Sequence, residues 1–155
     1  MHTVADAVTA GLDVPLLHIG DSTAEAVRAA GLTRIGLLGT RYTMEQPFLA
    51  DRLTAAGLEV LVPEAGDRDL VHRVIYDELV LGVVREESRA AYRGVVDRLV
   101  ARGAQGVVLG CTEIELLIGP DDVAVPTFPT TALHAAAAVR AALAERALGR
   151  AAGLR

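Results

Sequence analysis

The fold is decided by residues 106–110, the stretch GVVLG, which is apolar throughout and has the length of a short strand. Continuously apolar strands are typical of parallel sheets that are covered by helices on both faces. Four more stretches share this length and character, and we predict that they are strands too: LLHI at 16–19, RIGLL at 34–38, LEVLV at 58–62 and PTFP at 126–129.

Amphipathic stretches lie between the predicted strands, with apolar residues at helical spacing. They predict helices at 23–30, 47–56, 67–102, 113–117 and 131–148. A break near Leu81-Gly82 is expected to divide the longest helix, and Asp21 or Ser22 is expected to cap the first. The alternation of strands and helices predicts an α/β fold, a parallel sheet flanked by helices, in which ligands bind at the carboxyl ends of the strands.

The composition excludes several classes of function. The chain has 155 residues, 52% of them hydrophobic and 23% charged, as in an ordinary globular domain. A net charge of −5 without a cluster of arginines argues against nucleic-acid binding. No apolar run approaches the roughly 18 residues of a membrane span. We therefore expect a cytoplasmic protein that binds neither nucleic acid nor membrane.

Cys111 is the only cysteine of the chain, so an internal disulfide is excluded and a free thiol is expected. It directly follows the strand at 106–110 and precedes the predicted helix at 113–117. The free N–H groups at a helix start favour negative charge, which predicts a lowered thiol pKa and a thiolate able to act as nucleophile or general base. A small buried hydrophobic residue is the equally weighted alternative.

Other candidate residues lie near the ends of the predicted strands. Thr40, Thr43 and Thr112 supply hydroxyls that could hold a carboxylate, or they are helix caps and turn residues. Arg85 could pair with an acidic substrate side chain, although a solvated surface arginine is the simpler interpretation. His134 lies in the first turn of the last helix, where a structural role is the simpler interpretation. No histidine stands at metal-ligand spacing from the cysteine or a carboxylate, so no metal is expected.

Four motifs, in this order, resemble the aspartate/glutamate racemase family, within the wider group that includes hydantoin racemases. They are GLLGTRYTM at 36–44, LVHRVIYDEL at 70–79, VVLGCTEI at 107–114 and TTALHA at 130–135. The resemblance extends over nearly the whole chain.

The resemblance implies a cofactor-independent amino-acid racemase that uses neither PLP nor a metal. Family members place the active site between two similar α/β domains, each of which supplies one catalytic residue, usually cysteine, at a strand end. By motif, Cys111 corresponds to the second-domain cysteine, and Thr40 and Thr112 match positions that bind the substrate carboxylate. Thr43 is expected beside them, and Arg85 near the substrate side chain. Glu113 and His134 are expected to support the site without touching the substrate.

The resemblance also suggests where the sequence begins within the family. The start MHTVAD at 1–6 resembles the inside of the motif that ends the first domain. We therefore expect residues 1–31 to be a remnant of the first domain, 32–131 to be the second domain, and 132–155 to be a closing helix and tail. The first catalytic residue would then be absent, which predicts little or no racemase activity for this polypeptide. Faces exposed by the truncation predict a homo-oligomer, with a dimer as the simplest case.

Two alternatives to the racemase remain open at this point. The first is a one-cysteine decarboxylase of the same superfamily, which would protonate its intermediate from one face. The second is a noncatalytic remnant that serves as a binding or structural module.

Overall fold

The computed structural model of the protein describes residues 4–12 and 14–152. Its strands are β1 Arg34–Leu38, β2 Glu59–Leu61, β3 Val107–Leu109 and β4 Thr127–Pro129. Its helices are α1 Ala5–Thr9, α2 Ile19–Ala29, α3 Arg41–Glu45, α4 Pro47–Ala55, α5 Ala65–Asp77, α6 Glu86–Ala101, α7 Ile114–Leu117 and α8 Thr130–Ala152, with a 3₁₀ turn at Leu79–Leu81.

The strands form one parallel sheet in the order β2-β1-β3-β4. Helices cover both faces, as the apolar strands predicted. Alternate residues of β3 point to opposite sides: Val107 and Leu109 join a core with α5, α6 and α7, whereas Val108 joins a second core with α2 and α4. The α/β architecture expected from the sequence is therefore confirmed.

The long helical region at 67–102 is divided where the sequence predicted a break. Gly82 adopts a φ of +72°, a left-handed conformation that is strained for residues with a Cβ. The backbone carbonyl of Glu78 accepts hydrogen bonds from the N–H groups of Leu81 and Val83, both at 3.0 Å, which closes the turn. After this turn, Arg85 is the residue that immediately precedes α6.

The prediction of a strand at 16–19 is wrong. In the described part of the chain these residues belong to no sheet, and α2 begins at Ile19. The cap is His18, whose Nδ1 accepts a hydrogen bond from the N–H of Gly20 at 3.0 Å, so neither Asp21 nor Ser22 has that role. An apolar run becomes a strand only beside another strand, and Leu16 and Leu17 instead remain 37% and 40% exposed.

The division into domains remains a prediction. Met1, His2 and Thr3 of the MHTVAD stretch lie outside the described residues, as do residue 13 and residues 153–155. Within the described residues, no helix has the length and apolar character needed to cross a membrane.

Candidate active site

The turn that carries Cys111 follows directly from the pairing of β1 with β3. The N–H of Gly110 donates to the carbonyl of Leu38 at 2.7 Å, so the two strands end side by side. A Cβ on Gly110 would lie 2.9 Å from that same carbonyl oxygen, which explains why glycine occupies this position. Beyond it, the chain turns sharply, and the N–H of Ile114 donates to the carbonyl of Cys111 at 3.2 Å. Cys111 therefore lies just beyond the carboxyl end of β3, at the edge of the sheet where β1 also ends.

The Cys111 thiol is half-buried and has one polar partner nearby. Its Sγ donates a hydrogen bond to Oε2 of Glu113 at 2.8 Å, and the hydroxyl of Thr112 donates to the same oxygen at 2.7 Å. These two hydrogen bonds hold the pKa of the Glu113 carboxyl below its usual range, and the bond from Cys111 has the larger effect. The thiol proton is thus held by an ionised carboxylate.

The pKa of Cys111 is raised to about 12, so the predicted lowering is wrong. Burial is the first cause, and the hydrogen bond to the Glu113 carboxylate is the second. The helix that follows has only four residues, Ile114–Leu117, and a negatively charged side chain stands at its start. So short a helix offers little dipole to oppose these effects. The thiol is therefore protonated at neutral pH in this structure.

The predicted threonines lie at the same edge of the sheet. Thr40 caps α3: its Oγ1 accepts a hydrogen bond from the N–H of Thr43 at 3.3 Å and lies 3.2 Å from that residue's Oγ1. The Thr43 side chain packs against both strand ends, since a Cβ on Gly39 or Gly110 would approach it to 2.8 Å or 3.2 Å. The capping interpretation of Thr40 is thus confirmed, and both hydroxyls lie beside the Cys111 turn.

Arg85 is 59% exposed and has an acidic neighbour that the sequence analysis missed. Its Nη1 lies 3.7 Å from Oε1 of Glu78, whose side chain is only 15% exposed. The other oxygen of this carboxylate accepts a hydrogen bond from the buried hydroxyl of Ser88 at 2.6 Å. Glu78 and Ser88 stand ten residues apart, on either side of the turn at Gly82, so no short motif reveals the pair.

Tyr92 lies between the Glu78 carboxylate and the Cys111 thiol in the electrostatics of the site. It is fully buried, and its hydroxyl donates to the carbonyl of Val71 at 2.8 Å. Burial is the first cause that raises the pKa of Tyr92, and its proximity to the ionisable groups of Cys111 and then Glu78 adds to the rise. Tyr92 and Leu79 belong to the core against which Cys111 packs, and the 3₁₀ turn at Leu79–Leu81 contacts α7, so the turn between Glu78 and Arg85 lies in the same region of the molecule as the Cys111 turn.

His134 lies at a separate place. Its Nε2 is 3.0 Å from the carbonyl oxygen of Leu17, which ties α8 to the segment before α2. There it lines an apolar cavity of about 110 Å³ together with His18 and residues of α1 and the 16–19 segment. This contact is structural, and the expected support of the catalytic site by His134 stays a prediction.

Comparison with known proteins identifies relatives for nearly the whole chain. The family model described as Asp/Glu/hydantoin racemase matches residues 1–138. A crystal structure of a candidate Asp/Glu racemase from Yersinia pestis is 53% identical, with a TM-score of 0.89, over 92% of this chain and 63% of that chain. The crystal structure of an aspartate racemase homologue from Pyrococcus horikoshii OT3 is 33% identical, with a TM-score of 0.85, over 91% of this chain and 62% of that chain.

A further relative carries no functional description. It is an uncharacterized protein encoded in the pnlA 3′ region of Pectobacterium carotovorum subsp. carotovorum, and it is 30% identical over 103 residues, which are 66% of this chain and 67% of that protein. The chain thus spans less than two thirds of the length of the two solved relatives.

Proposed function

Because the chain belongs to the Asp/Glu/hydantoin racemase family, we propose that it acts in the inversion of an acidic amino acid at its α-carbon, with Cys111 as the proton-transferring group on one face. Racemase-type function is what the family and both solved relatives support in common. The substrate and the role of each residue are our proposal.

One observation carries the proposal: a protonated thiol, hydrogen-bonded to a carboxylate, lies at the edge of the sheet where two strands end together. A carbanion next to a carboxylate is a strong base, so even a thiol of raised pKa can return a proton to it. The S–H bond of Cys111 breaks as the C–H bond forms, and a thiolate remains. In the reverse direction, that thiolate takes the α-proton, and the raised pKa makes it a stronger base.

The hydroxyls of Thr40 and Thr43 are suited to the substrate α-carboxylate. Negative charge grows on this carboxylate as the α-proton leaves, and fixed O–H and N–H donors stabilise such charge. The two hydroxyls now bond to each other at 3.2 Å, so each can turn to a ligand without leaving a buried donor unpaired. Thr112, whose hydroxyl donates to Glu113, supplies a further hydroxyl at this edge.

Arg85 is proposed to bind the substrate side chain. Its side chain is 59% exposed, and its Nη1 lies 3.7 Å from Oε1 of Glu78, which is longer than a hydrogen bond. A planar fork of donors matches a carboxylate bidentately, which favours aspartate or glutamate over neutral amino acids.

Titration calorimetry with L- and D-aspartate, glutamate, asparagine and lysine tests this assignment. We expect one or more of the acidic amino acids to bind, with asparagine and lysine at least about tenfold weaker. Arg85→Ala should abolish this preference, whereas Arg73→Ala, which removes an exposed arginine from the middle of α5, should leave it intact. Equal affinity for aspartate, asparagine and lysine would contradict the assignment.

A second candidate is favoured by the protonated state of the thiol. A one-cysteine decarboxylase needs a single proton donor on one face, and Cys111 carries a proton at neutral pH. Carbon dioxide released from an aryl malonate by the wild-type chain, and not by Cys111→Ser, would favour the decarboxylase over the racemase.

A further inference from the structure

One side of α5 faces the one-turn helix α3. Asp69, His72 and Tyr76 are spaced by three and four residues, so they lie on the same side of α5. The guanidinium of Arg41, the first residue of α3, pairs with the carboxylate of Asp69. The rings of His72 and Tyr76 contact each other, with 4.8 Å between their centroids. His72 belongs to the motif at 70–79, and the proposed function gives this residue no role.

The imidazole of His72 binds the backbone of α3 directly. Its Nδ1 accepts a hydrogen bond from the N–H of Arg41 at 3.2 Å. This N–H has no acceptor within α3, because the first N–H groups of a helix lack an intrahelical partner. The hydroxyl of Thr40 accepts from another such group, the N–H of Thr43. The start of α3 is therefore held by two side chains, one from its own cap and one from α5.

Helix α3 depends on contacts of this kind because it has only five residues. A helix of this length is not stable by itself. At its other end, Arg68 of α5 lies 3.1 Å from Glu45, but this pair joins two long side chains and fixes the backbone only loosely. The hydrogen bond from His72 instead constrains the backbone immediately beside Thr40. Its loss would free the residue that follows the cap.

From this geometry we infer that His72 is a positioning residue for the substrate α-carboxylate. It fixes the start of α3 so that the hydroxyls of Thr40 and Thr43 meet this group together. The inference rests on the proposed function, from which it takes the binding of an α-carboxylate by these two hydroxyls. In this role Nδ1 is the acceptor, so the neutral ring carries its proton on Nε2.

Substitutions at His72 separate the acceptor from the rest of the side chain. His72→Leu and His72→Ala remove the acceptor, whereas in His72→Asn the amide oxygen can take the place of Nδ1. The matched control is Arg73→Leu, an exposed change at the next residue of α5. His72 is itself partly exposed, so we expect all four variants to fold, and circular dichroism checks this.

The ligands are pairs that differ only in the α-carboxylate: aspartate with β-alanine, and glutamate with γ-aminobutyrate. Titration calorimetry gives the ratio of the two affinities within a pair. We expect the wild type to prefer the amino acid with the α-carboxylate at least about tenfold, since only this ligand uses Thr40 and Thr43 fully. The preference should fall at least about threefold in His72→Leu and His72→Ala. His72→Asn and Arg73→Leu should retain it.

The outcomes distinguish this inference from the proposed function. If the preference in His72→Leu and His72→Ala equals that of the wild type, or if both ligands of a pair weaken equally, His72 does not position the carboxylate site and the proposed function stands. A wild-type chain that binds no acidic amino acid would overturn the proposed function, and the inference with it.

Amide hydrogen exchange provides a second measurement that needs no ligand. The N–H of Arg41 should exchange at least about tenfold faster in His72→Leu than in the wild type, with His72→Asn close to the wild type. Equal exchange in all three proteins would show that His72 does not hold the start of α3, and would overturn the inference.

Discussion

The proton of the Cys111 thiol is the feature on which the chemistry of this site depends. It points to Glu113, whose carboxylate also receives the hydroxyl of Thr112. A negative acceptor beside a thiol disfavours a second negative charge, so the carboxylate adds to the effect of burial on the thiol pKa. The resting site therefore stores a proton that the reaction can deliver.

Replacing that acceptor should change the thiol in a definite direction. In Glu113→Gln the amide oxygen can still accept a hydrogen bond from the Cys111 S–H group. The negative charge is gone, however, so the pKa of Cys111 should fall. Alkylation by iodoacetamide at neutral pH should then be about tenfold faster than in the wild type, because the thiolate is the reactive form. Glu115→Gln, an exposed change in the same segment with no bond to the thiol, is the matched control. A rate in Glu113→Gln equal to that of the control would show that the carboxylate does not govern the thiol.

At the scale of the secondary-structure elements, the pairing of β1 with β3 determines where the thiol lies. The N–H of Gly110 donates to the carbonyl of Leu38, and a side chain at Gly110 would meet the backbone of β1. The side chain of Thr43, in α3, packs against the same glycine. The contact between Thr43 and Gly110 therefore helps to position both the Thr43 hydroxyl and the neighbouring Cys111.

Gly110→Ala should therefore disturb both stability and the site. We expect the free energy of unfolding to fall by about 1–3 kcal/mol, because either the strands separate or Thr43 moves. Gly66→Ala is the control, since a Cβ at that helical position meets open space. Urea denaturation measures both variants. A Gly110→Ala protein as stable as Gly66→Ala would mean that the close approach of the two strands does not constrain the Cys111 turn.

The sequence predicted most elements well, and its errors have physical causes. RIGLL at 34–38 is a strand with those same bounds, and the break near Gly82 is where it was expected. The strand predicted for LLHI at 16–19 is wrong because an apolar run does not reveal whether a partner strand lies beside it. The predicted lowering of the Cys111 pKa is wrong because the short helix at 113–117 was foreseen, but neither the burial of the thiol nor the hydrogen bond from its Sγ to the Glu113 carboxylate can be read from the pattern.

At the scale of the whole molecule, this sequence supplies one thiol, and inversion of an α-carbon needs proton transfer on two faces. We therefore expect the 155-residue chain to convert L- to D-aspartate slightly or not at all, even where aspartate binds. Chiral chromatography after long incubation measures this, with Cys111→Ala as the background. Rapid conversion that depends on Cys111 would contradict the proposal that the described site serves a single face.

The central claim is that Cys111 lies within a binding site for an acidic amino acid, and protection of the thiol tests it most directly. The rate of Cys111 alkylation is measured without and with saturating aspartate or glutamate, for the wild type, Arg85→Ala and the control Arg73→Ala. We predict that at least one acidic amino acid slows alkylation severalfold in the wild type and in Arg73→Ala, but not in Arg85→Ala. Alkylation that proceeds at the same rate with and without every acidic amino acid in the wild type would contradict the claim.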